Sequence, residues 1–251
     1  MSLRNKSVLL TGGAGGLGSL VSRRLDAAGA RVTVLDRLSP ADGADVLIHD
    51  LSTPDGVEAA VADVEGRDWD VLVNLAGIQH FGPLELQSAD HLLASYLVNL
   101  VAPARLTQAV LPRMKARRAG QIVNIGSVFG SIGFAHFVTY SSAKAGLRVF
   151  SEALRRELVE TGVAVTYIAP RAMRTPLITP KLAQFAKMTR MPLDEPDKVA
   201  SLIVDAIRTR RRDFSIGLAE FLYIRLNALA PDLVDRALLS NGRKARTLFV
   251  D

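Results

Sequence analysis

Ser7-Val8-Leu9-Leu10, a short apolar run, passes without a break into Thr11-Gly12-Gly13-Ala14-Gly15-Gly16-Leu17-Gly18. Ser19 to Ala28 follows with Leu20, Val21 and Leu25 at helical spacing, and Gly29 closes the segment as a C-terminal cap. Strand, glycine turn and helix in that order are what a phosphate-binding turn requires. Glycines let the backbone approach a pyrophosphate, and the helix N-terminus offers unpaired N–H groups and positive potential. A nucleotide site is therefore expected here in preference to a plain tight turn.

The rest of the chain keeps the same rhythm. Arg31 to Leu35 reads as a second strand ending on Asp36, about 20 residues beyond the glycine turn, where an acid binds the two adenosine ribose hydroxyls. A carboxylate there repels a 2′-phosphate, which favours NAD, while the neighbouring Arg37 keeps NADP open. Asp45 to Leu51 reads as a third strand carrying Asp50, with His49 at a half-exposed strand position. Thr53-Pro54-Asp55 opens a helix, and Asp70 to Asn74 is a fourth strand running into Leu75-Ala76-Gly77. From Ser88 a long helical pattern contains Asn99, with a bend expected at Pro103 and a stop at Gly120. Strand Ile122–Ile125 leads to Ser127, and a helix through Tyr140 and Lys144 runs to Gly162. Val163 to Ile168 is a sixth strand, Asp197 to Arg208 a helix and Asp213 to Gly217 a seventh strand. This alternation predicts a single-domain, Rossmann-type, doubly wound parallel sheet of about seven strands with helices on both faces.

Two segments depart from the rhythm. Residues 171–196, apolar and punctuated by Pro176, Pro180, Pro192 and Pro196, suit either a substrate lid or a loop packed on its own domain. The apolar extension at about 218–240, split by Pro231, suits a subunit contact, a pocket wall or a peripheral membrane contact.

With 251 residues, 49% hydrophobic and 22% charged, the chain can bury a large core. It has no cysteine, so disulfides and thiolate chemistry are excluded. The net charge of +6 invites a nucleic-acid reading, but Arg113 to Arg118 and Arg208 to Arg212 fall at expected helix ends. No aromatics interleave the basic clusters, so no nucleic-acid partner is expected. The N-terminus lacks the pattern of a signal peptide, and no run reaches the roughly 18 apolar residues of a spanning helix, so a cytoplasmic protein is expected.

The chemistry concentrates between Gly126 and Lys144. Tyr140 and Lys144, four residues apart on a helix, share one face. A phenol is a poor proton donor or acceptor near neutral pH, and an adjacent ammonium favours its ionised form. The Ser127 hydroxyl, at a strand's carboxyl edge, can hold a substrate oxygen against that phenol. Together they describe a proton-transfer site for an alcohol or a carbonyl.

These features, taken in order, resemble the short-chain dehydrogenase/reductase family over nearly the whole chain. Thr11-Gly12 with Gly16-Leu17-Gly18 resembles its cofactor turn, Asp50-Leu51 its adenine contact and Asn74-Leu75-Ala76-Gly77 its Asn-Asn-Ala-Gly element. Asn99, Ser127, Tyr140 and Lys144 match its catalytic four, and Pro170 to Thr175 resembles the segment closing over the nicotinamide. The resemblance implies Tyr140 as general acid/base, Ser127 as the group positioning the substrate oxygen, and Lys144 as a ribose ligand that lowers the Tyr140 pKa. It also implies Asn99 as the anchor of a water in a proton relay, with the Met173 backbone and Thr175 hydroxyl on the carboxamide. Leu75 and Arg171 depart from the family pattern, where a second Asn and a glycine are usual. No Val-Asp-Gly-Gly-like ending is present, so a homodimer through the helices of Asn99 and Tyr140 or a homotetramer is expected without assignment of its contacts.

The expected activity is hydride transfer between NAD, with NADP possible, and a secondary alcohol or ketone on a small hydrophobic substrate. Ser127, Phe129, Phe134 and Tyr140 are the substrate-facing candidates, and no metal is expected. The rival readings are a nucleotide-binding regulatory or scaffold protein, and an epimerase or dehydratase that retains its dinucleotide.

Overall fold

The computed structural model describes residues 1–40 and 45–249. Within Ser7–Thr11 (β1), Val8 and Leu10 face one side and Leu9 the other, as period-two alternation requires. The pattern recurs in Arg31–Asp36 (β2), Val71–Asn74 (β4), Gly120–Ile125 (β5) and Val163–Ala169 (β6), which carry apolar residues on both faces. A strand apolar on both sides must be covered on both sides. Gly16–Ala27 (α1) and Pro196–Thr209 (α7) cover one face, burying Val21, Leu25, Val199, Ile203 and Ile207. Pro54–Val64 (α2), Ala102–Ala116 (α4) and Val138–Glu157 (α5) cover the other.

All pairings are parallel, in the order β3-β2-β1-β4-β5-β6-β7, with Asp45–Ile48 (β3) and Asp213–Ser215 (β7) at the edges. Chain order reverses between β1 and β4, and a parallel sheet binds its ligand in the crevice outside the carboxyl ends at such a point. Thr11 lies opposite Asn74, and Asn74 opposite Asn124, so the glycine turn, the Leu75–Gly77 segment and Ser127 emerge side by side.

Several local expectations are corrected. β3 stops at Ile48, and His49 and Asp50 lie beyond it because the chain turns at Asp50–Ser52 towards the Thr53 cap of α2. His49 bonds Asp63 at 2.7 Å. The long helix carries Pro103 in the first turn of α4. Its irregularity precedes that proline, as a π-helical turn over Leu97–Val101 between Ala89–Tyr96 (α3) and α4. α4 ends at Ala116 rather than at Gly120, which begins β5.

Residues 171–196 hold a helix, Pro180–Thr189 (α6), capped by Thr179 accepting the Leu182 amide at 3.3 Å. The apolar C-terminal stretch forms Leu218–Leu229 (α8) and Pro231–Arg246 (α9). Among the described residues no helix is long and apolar enough to cross a membrane.

Candidate active site

A cleft of about 450 Å³ opens along the carboxyl ends of the sheet. Its first half is built by glycines that no side chain can replace. Gly12 takes φ +74°, and a Cβ on it would lie 2.8 Å from Ala76 Cα. A Cβ on Gly18 would sit 1.9 Å from the Gly12 carbonyl oxygen. Thr11 Oγ1 accepts the Leu75 and Ala76 amides, both at 3.0 Å, and so fastens the glycine turn to the neighbouring strand end. The Asp36 carboxylate accepts the Ala14 amide at 3.0 Å and the Leu38 amide at 3.2 Å, which sets it at the lip of that turn. Arg37 lines the cleft beside it. Asp50 Oδ1 accepts the Ser52 amide at 2.9 Å and hydroxyl at 2.7 Å, and these bonds hold its carboxyl below the usual carboxylate range. Gly16, Leu17, Leu51, Gly77, Pro170, Met173 and Thr175 complete this half.

The second half holds the proton-transfer residues. Ser127 follows β5, its hydroxyl accepting the Phe129 amide at 3.2 Å. Tyr140 and Lys144 rise from the first turns of α5, with Lys144 Nζ 5.9 Å from the Tyr140 ring centroid. Lys144 Nζ donates to the Ile125 carbonyl at 2.9 Å. Burial pushes its pKa down from 10.5 to about 8. Burial also pushes the Tyr140 phenol above its ordinary value, although the ring still reaches the cleft, and a hydrogen bond with the Ser127 hydroxyl pulls it part of the way back. Desolvation is the larger influence on Tyr140, and Ser127 rather than Lys144 supplies the opposing one.

Asn99 lies within the π-helical turn. Its Nδ2 donates to the carbonyls of Ser95 and Ile78, both at 2.8 Å, while Oδ1 is buried with no partner among the described residues. A Cβ on Gly77 would stand 3.1 Å from Asn99 Oδ1 and 3.6 Å from Lys144 Nζ, so both atoms look into the space that Gly77 leaves. An orphaned buried acceptor opposite an ammonium is a place for a bridging water.

Not every candidate reaches the cleft. Asn74 lies within the sheet, where Nδ2 donates to Asn124 Oδ1 at 2.8 Å and Asn124 Nδ2 donates to Ser151 Oγ at 2.8 Å. Phe134 stacks behind Phe129 with ring centroids 4.3 Å apart, and Phe129 itself lines the cleft edge-on to Tyr140. The apolar wall is completed by Phe137, Ile178, Leu182 and Met191. Gln79 also lines the cleft. Its Nε2 donates to the Leu177 carbonyl at 2.7 Å, a partner 98 residues away that no local pattern signals. Among the described residues no group of three or more His, Asp or Glu side chains is placed to hold a metal ion.

The sequence profile of the short chain dehydrogenases matches residues 6–185. The chain is also 31% identical over 263 residues to the ketoacyl reductase HetN of Nostoc sp., covering 94% of this chain and 88% of that protein. The chain belongs to the short-chain dehydrogenase family. A short-chain dehydrogenase from Streptomyces avermitilis matches this fold with a TM-score of 0.77 at 30% identity, over 96% of this chain and 99% of the other. 4-Hydroxyisoleucine dehydrogenase complexed with NADH matches with a TM-score of 0.75 at 25% identity, over 85% and 97% of the two chains. As a member of this family the protein is an oxidoreductase dependent on a nicotinamide dinucleotide, and the glycine cradle, the ordered Asp36 carboxylate and the unpartnered Asn99 oxygen all fit such a ligand.

Proposed function

We propose that this short-chain dehydrogenase moves a hydride between NAD and a secondary alcohol or ketone on a hydrophobic substrate, with Tyr140 as general acid/base. The observation that carries the reading is one cleft with a glycine cradle at one end and Phe129, Phe137, Ile178, Leu182 and Met191 at the other. The Tyr140, Ser127 and Lys144 side chains stand between the two.

The dinucleotide supplies or accepts the hydride when bound. Gly12 to Gly18 would receive its pyrophosphate, Asp36 its adenosine ribose, Asp50-Leu51 its adenine and Lys144 its second ribose. The Met173 backbone and Thr175 hydroxyl would hold the carboxamide. Ser127 Oγ fixes the substrate oxygen beside Tyr140 Oη. In reduction the neutral phenol, the form that burial favours, donates its proton to that oxygen. Lys144 and a water on Asn99 Oδ1 return a proton to Tyr140. The apolar wall excludes water and selects a hydrophobic substrate, and residues 171–196 close over it as a lid.

The preference for NAD rests on Asp36, whose two oxygens are fixed by backbone amides at the lip of the turn, where they meet ribose hydroxyls and repel a 2′-phosphate. Fluorescence titration of NADH against NADPH tests it. Tighter binding of NADH, relaxed in Asp36→Ala, is expected. Tighter binding of NADPH by the unaltered protein would mean that Arg37 outweighs Asp36 and would overturn the preference.

A further inference from the structure

The chain leaves the sheet after β6 and returns only at α7, and the two ends of that excursion are tied together. The Asp194 amide donates to the Ala172 carbonyl at 2.9 Å, the Arg174 amide donates to the Asp194 carbonyl at 3.1 Å, and Met173 and Asp194 form a parallel bridge. Residues between these ends supply Thr175, Pro176, Leu177, Ile178, Leu182 and Met191 to the cleft. The position of this wall therefore depends on the neck of the excursion.

Arg171, where the family usually has glycine, stands at that neck. Its Nε donates to Asp194 Oδ2 at 3.0 Å and its Nη2 to Oδ1, while Nη1 reaches Glu220 Oε1 at 3.2 Å and Oε2 at 3.4 Å. The three side chains are 26, 16 and 18% exposed, so their attraction is screened far less than that of a surface pair. Glu220 belongs to α8 and is admitted by a glycine: at Gly217, with φ +113°, a Cβ would lie 2.0 Å from Glu220 Oε2. The other polar ties are exposed or single: Arg174–Glu195 is 64 and 63% exposed, and Leu177 and Met188 each accept one bond, from Gln79 and from Lys244. Leu182 and Phe185 add apolar packing against Phe137 and Ala245 further along the excursion, beyond its neck.

We propose that Arg171 is a positioning residue that locks the neck of the 174–194 excursion to α8 and so holds the wall over the cleft. It bonds two carboxylates brought from different elements, and it touches no reacting atom. Without it Asp194 and Glu220 confront each other as partly buried like charges, and the neck opens. The effect on dinucleotide binding rests on the function proposed above; the effect on the excursion itself does not.

Trypsin tests the excursion directly, because Arg174, Lys181, Lys187 and Arg190 lie on it. Arg171→Ala should be cut within this segment about tenfold faster than the unaltered protein and should bind NADH about tenfold more weakly, with the circular-dichroism melting curve little changed. Arg171→Lys, which keeps the charge and loses the fork, should recover part of both effects. An unchanged cleavage rate in Arg171→Ala, or equal behaviour of the Lys and Ala variants, would overturn the proposal. If Arg171→Ala does not fold, Glu220→Gln carries the test, with faster cleavage supporting the clamp and an unchanged rate overturning it. If the unaltered protein binds neither NADH nor NADPH, the proposed function fails while the cleavage comparison still decides the clamp.

Discussion

Replacing Lys144 by Met should make the protein more stable while removing its activity. Lys144 is 3% exposed, and its pKa falls from 10.5 to about 8 because burial disfavours the ammonium. At about 1.36 kcal/mol per pH unit, keeping that group protonated in the folded state at pH 7 costs about 3 kcal/mol. Methionine fills nearly the same volume with an apolar, adaptable chain and carries no such cost. It does leave the Ile125 carbonyl without its 2.9 Å donor, a loss of about 1–3 kcal/mol, so the net gain at pH 7 is at most about 2 kcal/mol.

The pH dependence separates this cause from better packing. Below pH 8 both folded and unfolded chains hold the proton, and the full cost is present. Between about 8 and 10.5 the folded state has released a proton that the unfolded chain still binds, so the unaltered protein gains stability as pH rises. The advantage of Lys144→Met should therefore be greatest at pH 7 and shrink steadily towards pH 10. Urea unfolding of both proteins without ligand, at pH 7, 8.5 and 9.5, measures it. A variant less stable at pH 7, or an advantage that does not fall with pH, would refute the reasoning.

Two further substitutions probe the frame of the site. Gly18→Ala forces a methyl to 1.9 Å from the Gly12 carbonyl, so the turn must shift; a loss of about 1–3 kcal/mol in urea unfolding is expected, with weakened NADH binding. Retained stability and affinity would contradict the cradle geometry. Asn74→Ala strands Asn124 Oδ1 inside the sheet and should cost about 1–3 kcal/mol of stability, with NADH affinity in the surviving fold changed little. A large loss of affinity at unchanged stability would instead make Asn74 a direct ligand.

The fold was legible in the sequence wherever the physics is local. Period-two runs, glycine turns and helical spacing mark the strands and helices, and Tyr140 and Lys144 share a face by spacing alone. What escaped depends on partners distant in the chain or on a small departure from periodicity. Pro180 reads as a breaker until Thr179 is seen capping the helix that it begins. The π-helical turn at Asn99 shifts the helical phase by only a single residue, and within it the Asn99 side chain donates to the Ser95 carbonyl. Arg171 reads as an odd cation until Asp194 and Glu220, 23 and 49 residues away, are seen on either side of it. Asn74 sits at the right motif position, but only the register against Asn124 directs its amide into the sheet.

The most direct measurement is turnover of Tyr140→Phe, read as consumption of reduced nicotinamide over a panel of hydrophobic ketones, beside a titration of NADH binding. Loss of the phenolic proton should lower turnover by about 10²–10⁴-fold while leaving NADH affinity within about threefold of the unaltered protein. Near-normal turnover in that variant, with any ketone that the unaltered protein reduces, would contradict the assignment of Tyr140 as the acid/base.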